Sequence, residues 1–390
     1  MTILLSDFGL WNKFLPLSYT RPLAEMRCGM MSFKERWELA LNTPCFYHTE
    51  VYLSKKYRCP NPKDVLVLKA SCLATEKLAQ AVLSLSLNEA LYADETLIAY
   101  RQSSIADFEA ATFKSIYFNE PVEQIRAPWE LFTKNRVFLE HDFNLKTNAQ
   151  NTQSIPDFVQ AINPDEIFIH PKANLNPCIL NASLGPIYID EDAEIMDGSL
   201  VRGPFYLGKS SVLKMGAKIY GATSIGPHSK VGGEVNNSII FGYSNKAHDG
   251  FLGNAVIGEW CNLGADTNNS NLKNNYDIVK LWDYTTERFS STGLQFCGLI
   301  MGDHSKCGIN TMFNTGTVVG VSANIFGAGF PRNFIPSFSW GGAAGTITYK
   351  FEKAIEVAEK VMQRRNLQLD QQSLEILKEI FNRSEKFRRK

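Results

Sequence analysis

An aliphatic residue recurs at every sixth position through the middle of the chain. Eight consecutive positions keep this spacing: Ile189, Ile195, Val201, Leu207, Leu213, Ile219, Ile225 and Val231. The spacing returns later at Phe251, Ile257 and Leu263, and again at Met301, Cys307, Phe313, Val319 and Ile325. A six-residue unit supplies one short strand and one turn, and three units close one triangular coil. We therefore predict a parallel β-helix over residues 165–340, with these side chains stacked in its interior.

The segments on either side of the repeat have other patterns. In residues 1–155, the apolar strands "ILLS", "VLVL" and "TLIAY" alternate with helical patterns, which predicts an α/β domain. The polar stretch "KTNAQNTQS" that follows predicts a linker. Residues 347–390 show helical spacing with charged outer faces, so we expect C-terminal helices that cap or brace the β-helix.

Composition excludes several classes of protein. The 390 residues carry 40 Lys and Arg against 40 Asp and Glu, so we expect no nucleic-acid partner. We expect a cytoplasmic protein without a membrane partner, since there is no basic signal-peptide region and no apolar run of 18 residues. The eight cysteines lack CxxC spacing, which predicts reduced thiols and neither a disulfide framework nor a zinc site.

The spacing of the repeat breaks at "SNKAHDGFLG", residues 244–253. A regular coil buries its inward side chains, so catalytic groups belong where the regular turn is disrupted. The break contains His248, and an imidazole is a suitable general base near neutral pH. A surface histidine in a turn is the alternative. We predict that His228 and His304, which lie on regular turns, face the solvent.

Residues 165–330 resemble the acetyltransferase domain of the bifunctional bacterial enzymes that make UDP-N-acetylglucosamine, a family of left-handed parallel β-helix acyltransferases. Counting back from Leu252 and Gly253, His248 falls on the catalytic histidine of that family. The resemblance implies a left-handed coil, acetyl-CoA as the acyl donor and a homotrimer with its sites between subunits.

The segment "AVIGEWCNLGADT" continues this resemblance and retains Asn262 and Ala265 of the family pattern. The resemblance implies that Asn262 orients the sugar. It also implies an acetyl-CoA contact at Gly264 and Ala265, whose backbone N–H groups are candidate donors to an oxyanion.

A long loop follows, in which "NNYD" and a later lysine resemble substrate-binding positions of the family. The resemblance implies that Asn275 and Tyr276 orient the sugar, and that Lys246 and Lys280 hold a sugar 1-phosphate. The alternative for both lysines is a solvated loop charge. An interruption of about 30 residues in a solenoid favours a functional lid over the site.

The N-terminal segments "LPLSYTRP" and "PWELF" resemble sugar nucleotidyltransferases, in a divergent two-domain branch with a reduced N-terminal domain. That resemblance implies UTP as a co-substrate and Mg²⁺, for which no ligand residue can be named. The chain lacks the family's Gly-x-Gly-x-x-Arg loop, and Leu23 stands where the family has a lysine. Lys13, Arg21 and Arg27 are the candidates for binding nucleotide phosphates. Structural ion pairs are the alternative for both arginines.

Three functions remain open from the sequence. The first is a bifunctional enzyme that acetylates glucosamine 1-phosphate and couples the product to UTP. The second is an acyltransferase that acts on another amino sugar or nucleotide sugar and keeps a degenerate N-terminal domain. The third is a non-enzymatic assembly or regulatory protein. His248, Asn262 and the long loop favour an enzyme.

Overall fold

A computed structural model describes residues 1–60, 63–105, 112–147 and 152–388. Its N-terminal part is built on one mixed sheet, whose strands in spatial order are Cys45–His48, Thr2–Ser6, Val65–Lys69, Thr96–Gln102, Glu89–Ala93 and Lys114–Tyr117. The strand Thr2–Ser6 pairs in parallel with both of its neighbours. The carboxyl ends of these three strands therefore lie at one edge of the sheet. Residues 148–151, within the predicted linker, lie outside the described residues.

Three α-helices accompany this sheet: α1 (Phe33–Leu41), α2 (Glu76–Leu83) and α3 (Pro128–Thr147). Helix α1 begins at a capping box, in which Ser32 and Glu35 each accept a hydrogen bond from the other's backbone N–H. The remaining short elements are the strand pair Arg27–Cys28 and Met31–Ser32, and the 3₁₀ helices Trp11–Phe14, Leu17–Thr20, Leu23–Glu25, Val51–Leu53 and Pro164–Glu166.

From Gln160 to Thr348, apart from one excursion, the chain forms the left-handed parallel β-helix that the repeat and the resemblance predicted. Its first face contains Ile167–Ile169, Ile187–Ile189, Phe205–Leu207, Thr223–Ile225, Ile239–Gly242, Val256–Glu259, Leu299–Met301, Thr317–Val319 and Phe334–Ile335. Its second face contains Asn174–Leu175, Glu194–Ile195, Val212–Leu213, Lys230–Val231, Asn245–Lys246, Asn262–Leu263, Lys306–Cys307, Asn324–Ile325, Ser339–Gly342 and Gly345–Thr348. Its third face contains Gln160–Ile162, Ile179–Asn181, Leu200–Arg202, Lys218–Tyr220, Glu234–Asn236 and Phe251–Gly253, with Asn268–Asn269 and Met312–Phe313 paired beyond it.

The eight side chains of the regular repeat are all buried in the core of the β-helix, as predicted. The prediction was wrong at Phe251, which is only partly buried; Leu252 takes the inward position and pairs with Val235 on the neighbouring coil. The coil does not stop at the break in spacing. It passes through two shortened units, from Val231 to Val235 and on to Ile240, and this shift displaces the six-residue register.

An excursion of the chain between Asn269 and Leu299 carries an antiparallel hairpin, Lys280–Asp283 with Arg288–Ser291, which we call the inserted hairpin. The inserted hairpin packs against the N-terminal part, since Leu281 belongs to that hydrophobic core and the Tyr284 ring meets Tyr19 edge-on with centroids 5.7 Å apart.

Three helices close the chain: α4 (Phe351–Gln363), α5 (Gln371–Arg383) and α6 (Glu385–Arg388). They brace the last coil, where Phe338 packs against Phe381 of α5. Helix α5 also reaches the N-terminal part through an ion pair between Glu375 and Lys55. Within the described ranges, no helix is long and apolar enough to cross a membrane. All eight cysteines are free thiols.

Arg21 joins the N-terminal part to the β-helix. Its buried guanidinium forms ion pairs with Asp303 and, at 3.1 Å, with Glu259, both on β-helix coils. Thr20 adds a hydrogen bond of 2.7 Å from its hydroxyl to the Asp303 carboxylate. The predicted role of Arg21 in binding nucleotide phosphates is therefore corrected: two carboxylates already occupy the side chain, and it is a structural ion pair.

Shortening one side chain inside the coil should destabilise the protein. Leu213 is fully buried in the β-helix, so we expect Leu213→Ala to lower the free energy of unfolding by about 2–5 kcal/mol, through lost burial and a cavity. Met215 lies two residues away and is 68% exposed, and Met215→Ala should change stability by no more than about 0.5 kcal/mol. Urea denaturation followed by circular dichroism measures both. Equal effects would contradict the inward orientation of Leu213.

Removing Arg21 should cost more than removing a surface cation. Arg21→Ala leaves the buried Asp303 carboxylate without its main partner, and breaking a buried pair in this way costs about 3–5 kcal/mol. Lys360→Ala, which breaks the exposed pair with Glu356, is the control and should have little effect. Urea denaturation compares the two variants, and an Arg21→Ala protein as stable as the control would contradict the proposed role of this ion pair.

Candidate functional site

A cavity of about 660 Å³ opens on the second face of the β-helix. His248, Asn262, Gly264 and Ala265 all line it. The strands Asn245–Lys246 and Asn262–Leu263 are neighbours on this face, so the parallel stacking of the coils brings together residues that are 17 positions apart in sequence. The break in the repeat is therefore one wall of a cavity.

The turn that carries His248 is held from inside the coil by Lys246. The lysine takes an inward position that aliphatic residues occupy on neighbouring coils, and its Nζ donates to the carbonyls of Gly232 (2.9 Å) and His248 (2.7 Å). Burial lowers the pKa of Lys246 to about 8. The structure thus does not place Lys246 where it can bind a sugar phosphate. The His248 imidazole itself is exposed at the cavity wall.

The two backbone donors predicted for the oxyanion differ. The N–H of Gly264 donates to the Cys307 carbonyl at 3.1 Å as part of the stacking of coils, so it is not free for a ligand. The N–H of Ala265 has no hydrogen-bond partner within the described part of the chain. Asn262 has an exposed side chain at the same wall. Of the two predicted donors, Ala265 alone fits that role.

Aromatic rings from successive coils are stacked beside this cavity. His228 stacks on Tyr243 with centroids 4.8 Å apart, and Tyr243 stacks on Trp260 at 4.3 Å. His304 follows Trp260 at 6.3 Å, and burial lowers its pKa to about 3. The expectation that His228 and His304 are solvent-facing turn residues is corrected, because both rings belong to this stack and are only partly exposed.

Four cations at the cavity were missed by reasoning from sequence. Lys230 and Lys306 come from neighbouring coils, and Arg364 and Arg365 come from the end of α4. The pair "RR" after a helical pattern was the available signal, but the sequence does not show that the end of α4 packs beside the turn that carries His248. The Lys306 Nζ donates to the His304 carbonyl at 2.7 Å, so it is Lys230, Arg364 and Arg365 that make the cavity suited to an anionic ligand.

The inserted loop places its predicted substrate residues elsewhere. Asn275, Tyr276 and Lys280 do not line the cavity that holds His248, and the Asn275 side chain bonds to the Asp277 carboxylate next to it. Lys280 begins the inserted hairpin, which packs against the N-terminal part. The long loop is therefore not a lid over His248 within one chain.

The remaining N-terminal candidates lie apart from each other. Arg27 donates to the Met30 carbonyl at 2.6 Å and lies 3.6 Å from the Glu35 carboxylate, which favours the structural alternative for this arginine. Lys13 is exposed and lines another cavity, together with Arg126. The three predicted phosphate ligands do not form one site.

The described residues show no preformed cluster of ligands for the Mg²⁺ that the resemblance implies. Mg²⁺ prefers carboxylate and other oxygen ligands. No group of three or more His, Cys, Asp or Glu side chains suited to a metal occurs in the described ranges. The cavity at Lys13 offers one carboxylate, Asp283, which already accepts hydrogen bonds from the Thr285 hydroxyl (2.6 Å) and backbone N–H (2.8 Å).

Comparison with solved structures finds hexapeptide-type acyltransferases at low similarity. The polysialic-acid-specific acetyltransferase NeuO is 14% identical with a TM-score of 0.29, over 49% of this chain and 82% of NeuO. The UDP-N-acetylglucosamine acyltransferase of Campylobacter jejuni is 14% identical with a TM-score of 0.21, over 54% of this chain and 94% of that one.

Comparison of sequences points to one family for the N-terminal part. The family described as sugar nucleotidyl transferase matches residues 2–151. The bifunctional sugar-1-phosphate nucleotidylyltransferase/acetyltransferase of Sulfurisphaera tokodaii is 34% identical over 144 residues, 36% of this chain and 35% of that protein. The bifunctional protein GlmU of Methanocaldococcus jannaschii is 37% identical over 87 residues, 22% of this chain and 21% of that protein. The chain thus spans between 21% and 35% of these relatives, and over that part it is similar, at modest identity, to GlmU-like bifunctional proteins.

Proposed function

We propose that the β-helix transfers the acetyl group of acetyl-CoA to the amine of an amino-sugar 1-phosphate, with glucosamine 1-phosphate as the acceptor. One observation carries this proposal: the cavity at the break in the repeat combines an exposed imidazole, His248, with the Ala265 N–H, to which none of the described residues supplies an acceptor. Names of the relatives support transfer of nucleotidyl and acetyl groups.

The chemistry requires one base and one oxyanion donor. The amine nitrogen attacks the thioester carbonyl carbon, and the His248 imidazole accepts the proton that the amine loses. The Ala265 N–H donates to the oxyanion of the tetrahedral intermediate. Collapse breaks the C–S bond, and the departing thiolate takes the proton from the imidazolium. The products are the amide and free CoA. Asn262, at the same wall, orients the sugar.

The charges around the cavity fit the donor. CoA carries phosphates, and Lys230, Arg364 and Arg365 are cations at the same opening. The stacked rings of Tyr243 and Trp260 offer an apolar wall to the rest of the donor. The proposal includes the homotrimer that the resemblance implies. In such a trimer, Asn275, Tyr276 and Lys280 would contribute to the site of a neighbouring subunit. The proposed compartment of the protein is the cytoplasm.

The N-terminal domain adds uridylyl transfer to the proposal, in which UTP couples to the acetylated sugar phosphate and releases pyrophosphate. The family match over residues 2–151 supports this step. The second candidate is an acyltransferase alone, and the lack of a Gly-rich phosphate loop after the strand Thr2–Ser6 favours it. Pyrophosphate release from N-acetylglucosamine 1-phosphate and UTP separates the two candidates.

Replacing the proposed base should slow acetylation. General-base catalysis contributes about 10²- to 10⁴-fold, so we expect His248→Ala to lower the acetylation rate of glucosamine 1-phosphate by that factor. Binding of acetyl-CoA should not change. His170→Ala is the matched control, because His170 lies on the first coil and does not line the cavity. Release of the CoA thiol, followed with a thiol reagent, measures the rate.

The same assay tests the alternatives. A His248→Ala protein that acetylates within about twofold of the parent contradicts the assignment of the base, since removing a general base costs at least about 10²-fold. A parent protein that turns over neither acetyl-CoA nor UTP supports an assembly role and contradicts the proposed function.

The arginines at the end of α4 should act on the donor and not on the chemical step. Because exposed charge pairs contribute about 0.2–1 kcal/mol each, Arg364→Gln with Arg365→Gln should raise KM for acetyl-CoA roughly three- to tenfold and leave kcat nearly unchanged. Added salt should reduce the difference from the parent. Lys360→Gln, on the same helix but outside the cavity lining, is the control. A loss confined to kcat would contradict donor binding by these arginines.

A further inference from the structure

A second cavity, of about 270 Å³, lies where the N-terminal part meets the β-helix. Lys13 and Arg126 line it from the N-terminal part, and Trp282 and Asp283 line it from the inserted hairpin. Lys13 belongs to the segment that follows the strand Thr2–Ser6, at the edge where the parallel strands end. Ligands of α/β domains collect at this edge.

A third cation, Lys69, stands beside these two. It is the last residue of the strand Val65–Lys69, next to Ser6 at the same edge. Burial lowers the pKa of Lys69, and the nearby charges of Arg126 and Lys13 lower it further. The described residues supply no hydrogen bond or ion pair to the side chain of any of the three. Three like charges beside one lining carboxylate, Asp283, leave an excess of positive charge, which a bound anion would offset.

Helix α3 supplies a further positive potential at the same place. Its first two residues, Pro128 and Trp129, line the cavity, so the N-terminal end of this 20-residue helix faces it. The N-terminus of a helix favours a bound anion because of its free N–H groups and its dipole. The cations and the helix are independent features of the sequence that meet in one cavity.

The rest of the lining suits a sugar. Trp129 and Trp282 provide aromatic surface, and Asp283 provides a carboxylate that can accept hydrogen bonds from hydroxyl groups. The volume is slightly below the range of about 300–1,000 Å³ that is usual for drug-sized ligands. The cavity therefore fits a small ligand better than a complete nucleotide sugar.

We propose that this junction cavity binds the phosphate group of a sugar 1-phosphate through Lys13 and Arg126, without a divalent cation, and that Lys69 beside the cavity adds positive charge. The proposal rests on the proposed function in one respect, the choice of a sugar phosphate as the ligand. The three cations replace the charge that a metal would supply, in a domain whose described residues contain no cluster of three or more metal-ligating side chains. The inserted hairpin of the β-helix completes the site, so the N-terminal part alone does not contain it.

Isothermal titration calorimetry of the full chain with N-acetylglucosamine 1-phosphate tests the proposal, in EDTA and in Mg²⁺. We expect equal affinity in both conditions. Lys13→Gln with Arg126→Gln should weaken binding about 10- to 100-fold, the loss expected when charged hydrogen bonds are removed. Lys77→Gln is the control, because Lys77 lies on α2 and pairs with Glu120 at the surface. Circular dichroism verifies that each variant is folded.

Titrations with inorganic phosphate, N-acetylglucosamine and UTP identify what is recognised. Phosphate should bind weakly and lose that binding in the double variant, and N-acetylglucosamine should bind far more weakly than its 1-phosphate. Unchanged affinity of a folded double variant, or binding that needs Mg²⁺, would overturn the proposal. UTP binding that is lost in the double variant, without binding of the sugar phosphate, would also overturn it.

The proposed function can fail separately from this site. Binding that depends on Lys13 and Arg126 in a protein that neither acetylates nor releases pyrophosphate supports the site and contradicts the activity. If the Lys13→Gln, Arg126→Gln double variant forms product at the parent rate, the proposed activity is supported and the assignment of the phosphate site is contradicted.

Discussion

The buried contact of Arg21 with Asp303 and Glu259 decides how the two halves of this protein are placed. A guanidinium buried at the junction is stable only while its carboxylates stay next to it. The N-terminal part is therefore held on one side of the β-helix, where Thr20 and Asn135 add hydrogen bonds to Asp303 and to the Ala222 carbonyl. Every feature at the junction, including the cavity at Lys13, depends on that placement.

The two proposed sites arise where the regular coil is modified, each in a different way. Ahead of His248 the coil passes through two shortened units, between Val231 and Ile240, and it then takes a lysine, Lys246, into a position that aliphatic residues fill elsewhere. The buried ammonium fixes the turn from within, and the turn presents the imidazole at the surface. At the cavity beside Lys13, the regular coil is interrupted by the inserted hairpin, which packs against the N-terminal part through Leu281 and Tyr284.

The sequence predicted the repeated inward positions of the β-helix, but not the contacts between residues that are distant in sequence. The spacing at Ile189 to Val231 predicted the core of the β-helix correctly, because every coil poses the same requirement for an inward aliphatic side chain. Arg21 looked like a phosphate ligand because a sequence shows a charge but not its partner, and Asp303 lies 282 positions away. Lys246 was misjudged for the same reason: its acceptors are backbone carbonyls, which no residue type reveals. The cations Arg364 and Arg365 reach His248 only through the packing of α4.

The inserted hairpin gives the long excursion after Asn269 a structural reason. An excursion that served only as a lid would need an apolar face toward His248, whereas Trp282 instead stacks on Phe334 with centroids 4.2 Å apart and meets Phe387 edge-on at 6.3 Å. The same ring lines the cavity at Lys13. One side chain thus contacts the last coils, α6 and the proposed phosphate site. A change of position of the N-terminal part would move Lys13 away from Trp282, so a sugar 1-phosphate that contacts both would stabilise the junction that Arg21 maintains.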